Sequence, residues 1–121
     1  MKRDLDLIRK ILFRTEEIPP DDHNINNLDF EGYDEATVSA HALLMYEAGL
    51  IEASFTRTPR GTSNLYSLRR LLGPGHDMLD TIRNDTVWAK TKDRVSTTVG
   101  STTLEIVKGI AEGVAKGMIG M

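Results

Sequence analysis

Proline and glycine cut this chain into short pieces. Pro19-Pro20, Gly32, Gly49, Pro59-Arg60-Gly61 and Gly73-Pro74-Gly75 each interrupt a segment with an otherwise regular pattern. The residue before a proline is pushed out of the right-handed helical region, and glycine stops helices and forms turns. The fold must therefore be assembled from short helices and strands, with no element before the last break longer than roughly five helical turns.

Between the breaks the patterns are distinct. Residues 3–17 predict a helix: Leu5, Ile8 and Leu12 form a stripe, Leu7 and Ile11 widen it, and Asp6, Arg9, Lys10 and Arg14 lie opposite. Phe13 falls on the charged side. Residues 21–33 are acidic and Asn-rich, which predicts a loop with a short extended piece around Ile25–Phe30. Asp34 has N-cap chemistry for a helix Asp34–Ala48, and Gly49 supplies its stop. Ile51–Thr58 and Asn64–Leu72 have strand composition, and the Pro59–Ser63 turn between them makes a β-hairpin. Pro74 suits the start of a further helix, with Met78, Leu79 and Ile82 as its apolar side. Asp85 is the expected cap of a helix Thr86–Val95 anchored by Val87 and Trp88. Thr102 and Glu105 have capping-box spacing for a terminal helix. No internal repeat is visible.

At 121 residues the chain is one domain's worth of sequence, and 40% apolar with 27% charged residues is ordinary globular usage. The absence of cysteine excludes disulfides, thiolate nucleophiles and Cys-based zinc sites. A net charge of -3 argues against a nucleic-acid coat spread over the whole surface. The opening MKRDLDLIRK is charged where a signal peptide is apolar, and no run approaches about 18 apolar residues. A soluble cytoplasmic protein with no membrane partner is the expectation. Charge is distributed unevenly, however. Residues 18–35 carry six acids and no Lys or Arg, whereas residues 57–72 carry Arg57, Arg60, Arg69 and Arg70 and no acid.

The order helix, loop, helix, hairpin, helix resembles a winged helix-turn-helix domain. The segment ATVSAHALLMYEAGLI (Ala36–Ile51) is similar to the recognition-helix signature of that superfamily, and LGPGHDMLDTI (Leu72–Ile82) to its wing-to-helix segment. More closely, residues 1–94 resemble an uncharacterised family of bacterial and prophage proteins. Its members open with MKRDxDLIRKIL, continue through a YDE…H…LL…AGLI block and end in GHDxLDxIRxDxVWxKTK. Here these stretches are Met1–Leu12, Tyr33–Ile51 and Gly75–Lys92. The resemblance implies a fold and a phage or prophage setting in a bacterial host cytoplasm, with no established activity. The expected architecture is α+β: a winged-helix-like domain over 1–94, a Ser/Thr/Gly linker over 95–103 and an amphipathic helix over 104–121.

Direct reading of DNA by a recognition helix needs Arg, Lys, Asn or Gln at base edges, and Asp34–Ala48 contains none of these. Its Val38, Ala42 and Met45 make a core stripe beside His41. The opposite half carries Ala40, Leu43 and Tyr46, with Ser39 and Glu47 as its polar members. That half is expected to meet protein. The hairpin arginines Arg57, Arg60, Arg69 and Arg70 are the candidate nucleic-acid contacts, since a cationic wing can lie along phosphates without help from the helix. The competing expectation is that they neutralise the acidic 18–35 segment.

In the terminal helix Leu104, Val107, Ala111, Val114, Met118 and Met121 follow heptad-like steps. Gly109, Gly113 and Gly117 recur every four residues, each costing up to ~1 kcal/mol of helix stability against Ala. Close helix approach is the usual compensation, so Leu104, Val107, Gly109, Ala111, Gly113, Val114, Gly117 and Met118 are the candidate oligomerisation residues. No enzyme, metal or cofactor signature is present. His23, His41 and His76 are isolated, Asp21/Asp22 and Asp77/Asp80 are ordinary surface pairs, Gly73-Pro74-Gly75 is not a phosphate loop, and Ser39 and Ser67 lack nucleophile-elbow glycines. The leading expectation is a non-catalytic module that self-associates and binds a protein partner. The alternatives are a dimeric DNA-binding regulator and a phage inhibitor that occupies the surface of a host defence complex.

Overall fold

Asp4 opens the first helix, α1 (Leu5–Glu16), by accepting the Leu7 N–H on its carboxylate at 3.1 Å. The structure is a computed structural model that describes residues 3–19, 29–97 and 103–119. α1 buries Leu7, Ile8, Ile11, Leu12 and Thr15. Its apolar face is therefore centred further along than a stripe through Leu5, which is half-buried in the first turn. Thr15 returns its hydroxyl to the Ile11 carbonyl at 2.7 Å, so even the polar member of the buried face is satisfied. The helix ends at Glu17, two residues before Pro19. Phe13 is not a lone exposed ring: it is half-buried, with the Arg9 guanidinium 5.1 Å from its centroid. Of the expected extended piece at Ile25–Phe30, residues 25–28 lie outside the described residues. Phe30 itself is buried under Arg14, whose guanidinium stands 4.3 Å from the ring.

The second helix, α2 (Glu35–Glu47), starts at Asp34, whose carboxylate accepts the Thr37 N–H at 2.9 Å. It stops in a Schellman motif, because Gly49 at φ +75 donates to the Tyr46 carbonyl and Leu50 to the Met45 carbonyl. The chain then enters the antiparallel hairpin of β1 (Ile51–Arg57) and β2 (Ser63–Leu71), in register from Ile51 opposite Leu71 to Arg57 opposite Ser63. The turn is closed by the Thr58 N–H on the Thr62 carbonyl at 2.8 Å, with Gly61 in the left-handed region.

β2 holds one extra residue at each of two bulges, Arg69 opposite the Glu52/Ala53 step and Tyr66 opposite the Ser54/Phe55 step. The strand consequently buries Leu65, Leu68 and Leu71 at intervals of three, not two, and turns two consecutive arginines outward.

Two compact units result, residues 1–76 and 77–121. In the first, α1 and α2 pack on each other and on the hairpin. Its core contains Leu7, Ile8, Ile11, Leu12, Val38, Ala42, Met45, Ile51 and Leu68. The helix α3 (Gly73–Ile82) begins in this unit and continues into the second.

The second unit holds α4 (Asp85–Thr97) and α5 (Leu104–Ile119), which pack together. α4 is capped by Asn84, one residue before the expected Asp85, its side-chain oxygen accepting from Thr86 at 2.9 Å and Val87 at 3.1 Å. α5 is capped by Thr103, which accepts the Ile106 N–H at 3.2 Å. The expected cap, Thr102, lies outside the described residues. α4 runs to Thr97 and so occupies the start of the expected 95–103 linker, whose residues 98–102 also lie outside the described residues. The architecture is α+β, with five helices and one two-stranded antiparallel sheet among the described residues. None of the helices is long and apolar enough to cross a membrane.

Candidate interaction surfaces

α2 has one face committed to the core and one that is open in part. Val38, His41, Ala42 and Met45 are buried, Ala40 and Leu43 are half-buried, and Tyr46 is 48% exposed. Tyr46 does not stand free: its ring lies edge-on to Phe55 of β1, with centroids 5.5 Å apart. Ser39, expected on the open half, is instead buried, because its hydroxyl accepts the Leu65 N–H of β2 at 2.9 Å. That strand donor lies beside the bulge at Tyr66, and burial without a partner would cost it about 1–3 kcal/mol.

His41 is a structural tie between helices. Its Nε2 accepts the Asp4 backbone N–H at 2.8 Å, which leaves Nδ1 to donate to the Thr37 carbonyl at 2.8 Å. Both ring nitrogens are used in this arrangement. Asp4 also receives the Tyr33 hydroxyl, and partial burial, that hydrogen bond and the charges of Asp4 and Asp6 raise the Tyr33 hydroxyl above its ordinary range. The Asp34 carboxyl is held below its ordinary value, chiefly by the Thr37 hydroxyl and then by the Thr37 N–H. The polar chain Tyr33–Asp4–His41–Thr37–Asp34 thus joins the starts of α1 and α2. Among the described residues no group of three His, Asp or Glu side chains converges as a metal site.

The hairpin presents its cations outward. Arg57, Arg60, Arg69 and Arg70 are all exposed. Among the described residues, the acid that meets Arg69 and Arg70 is Glu52 on the neighbouring strand, at 3.6 and 3.4 Å. Residues 20–28 of the acidic 18–35 segment lie outside the described residues. The bulge at Arg69 places both arginines on the side of Glu52, and pairs this exposed are worth only about 0–1 kcal/mol. Four arginines against one acid leave the hairpin cationic, and Tyr66, 60% exposed, lies on the same strand.

α5 separates the residues that its sequence pattern grouped together. Leu104, Val107, Ala111 and Val114 are buried, on the helix that packs against α4. Gly109, Gly113 and Gly117 are exposed, and a Cβ built on any of them would meet nothing within 4 Å. The side chains of Met118 and Met121 lie outside what the structure describes. Two residues that the heptad pattern passes over stand with the glycines: Ile106, 41% exposed, and Ile110, half-buried. A projection at about 100° per residue puts Ile106, Ile110, Gly113 and Gly117 within about 60° of one another, which is the signal that finds them.

Residues 2–102 match the DUF2513 family of hypothetical proteins, so the match spans most of the chain and ends just before α5. The chain belongs to this family. A relative from Haemophilus influenzae, described as an uncharacterized protein, is 37% identical over 121 residues, covering 98% of this chain and 99% of its own length. The DUF2513 chain and this relative therefore correspond over nearly their whole lengths, α5 included. No solved structure matches.

Proposed function

We propose that this DUF2513 protein is a non-catalytic interaction module of phage or prophage origin, with a winged-helix core. It self-associates through α5 and binds a protein partner through Ala40, Leu43 and Tyr46 of α2. The observation that carries this reading is the second face of α5. Three glycines each cost up to ~1 kcal/mol of helix stability against alanine. The packing of the described residues makes no use of the space they leave. An exposed isoleucine stands among them. A loss of that size on an uncovered apolar face is offset by contact from outside the chain. The winged-helix reading is supported by a helix leading directly into an antiparallel hairpin, with α1 packed behind it, and by the resemblance of residues 1–94. The protein-partner reading of α2 is supported by its lack of Lys, Arg, Asn and Gln.

Light scattering across a concentration series on the full chain tests the reading. The mass is expected to rise from one copy toward two or more at high micromolar concentration. A one-copy mass throughout overturns self-association. The hairpin favours a second reading, in which four outward arginines and Tyr66 contact a nucleic-acid backbone. That reading requires duplex binding that weakens steeply with salt and is lost in the double variant Arg57→Ala, Arg60→Ala. The absence of any shift with mixed duplex fragments at low salt refutes it.

A further inference from the structure

Resting on the self-association proposed above, we infer that the partner of the glycine-notched face of α5 is the same face of a second copy, lying antiparallel. The argument starts from spacing. Ile106 and Ile110 occupy the first half of the face, Gly113 and Gly117 the second half, and the four are mirror-spaced about a point between Ala111 and Glu112. When two such helices run in opposite directions about that point, Ile106 of each lies over Gly117 of the other, and Ile110 over Gly113. Each side chain that stands out, Ile106 at 41% exposed, enters a place where the other helix has no Cβ and nothing within 4 Å. A parallel pair sets isoleucine against isoleucine and leaves the glycine notches facing each other, which wastes the contact that close packing supplies.

Charge selects the same direction. Glu105 in the first turn and Lys116 in the last turn are exposed and flank this face on the same side. Antiparallel pairing brings Glu105 of each copy within about two residues, or about 3 Å along the axis, of the other's Lys116. In a parallel pair the two-fold axis carries this flank of the two copies to opposite sides of the interface, so Glu105 and Lys116 find no such partner. Glu112 lies about 20° further round the helix than Glu105, and Lys108, half-buried, about 60° further. The arrangement leaves the buried stripe Leu104, Val107, Ala111 and Val114 on its own side of the helix, so pairing needs no repacking.

The chain has no cysteine, so introduced thiols are unique reporters. Ile106→Cys and Gly117→Cys are made separately in the full chain and oxidised alone and as an equal mixture. The expected result is a disulfide-linked dimer from the mixture and little from either variant alone. Crosslinking of each variant with itself, but not across the mixture, overturns the antiparallel arrangement while leaving self-association intact. A one-copy mass for the parent protein overturns both. The variant Gly113→Leu fills the central notch and raises helix propensity, so it stays folded. Its dimer is expected to be about tenfold weaker or more, and an unchanged dimer overturns the face assigned here. Lys116→Glu is expected to weaken the dimer and Glu105→Lys to restore it in the same chain; failure of the restoration overturns the charge pairing.

Discussion

Gly75 occupies a place in α3 where no other residue fits, and the cost of filling it follows from its neighbours. Its backbone is helical, so Gly75→Ala on propensity alone gains up to ~1 kcal/mol. The added Cβ, however, would fall on the carbonyl oxygen of Leu50, 2.9 Å from its carbonyl carbon and 3.3 Å from its Cα. That carbonyl cannot easily withdraw. It accepts the Leu72 N–H at 3.0 Å, and the Leu50 N–H is itself held by the Met45 carbonyl at 3.0 Å in the close of α2. Overpacking against movable side chains costs about 1–3 kcal/mol, and against tethered backbone the upper end applies. Allowing for the propensity gain, a net loss of about 2–3 kcal/mol is expected, equivalent to a Tm about 10 °C lower for a chain of this size. Thermal melts followed by far-ultraviolet circular dichroism measure it against the parent chain. A melting temperature for Gly75→Ala equal to or above the parent's would refute the reasoning.

Two further outcomes concern the polar chain between α1 and α2. His41→Ala removes a fully buried ring and leaves the Asp4 N–H without its acceptor, so a loss of roughly 2–4 kcal/mol is expected in urea unfolding, together with faster amide exchange at Asp4. The Asp34 carboxyl is held below its ordinary value, so its contribution is present above the carboxylate pKa of the unfolded chain and is lost as pH falls through the lower, folded value. The difference in Tm between the parent and Asp34→Ala is therefore expected to shrink on acidification. A difference that is constant with pH counts against the hydrogen bonds from Thr37.

Much of the first unit was legible in the sequence because its signals are local. Asp34 and Gly49 bracket α2 through cap chemistry that needs no distant partner, and Pro59–Ser63 marks the turn in the same way. What escaped depends on partners remote in sequence. Ser39 looks like a surface serine until a strand donor 26 residues away needs an acceptor. The caps of α4 and α5 shifted by one residue because neighbouring Asn84, Asp85, Thr102 and Thr103 all have suitable side chains, and only backbone direction chooses among them. On α5 the heptad pattern drew attention to the stripe that the chain covers itself; projection groups the second set of residues too, but which of the two faces is left uncovered is visible only once burial is known. The outward pairing of Arg69 and Arg70 with Glu52 likewise depends on bulges that no residue type announces.

Those bulges give β2 an ambiguous grammar. Leu65, Leu68 and Leu72 recur at the steps of a helix, yet the segment is extended, with Leu65, Leu68 and Leu71 on its covered side. Taken alone, the string LYSLRRLL satisfies either alphabet about equally well, and the choice between them is made by the presence of Ile51–Arg57 alongside. The identity of this stretch is thus conferred by its neighbour, and losing that neighbour would leave its leucines free to line up along a turn of another kind.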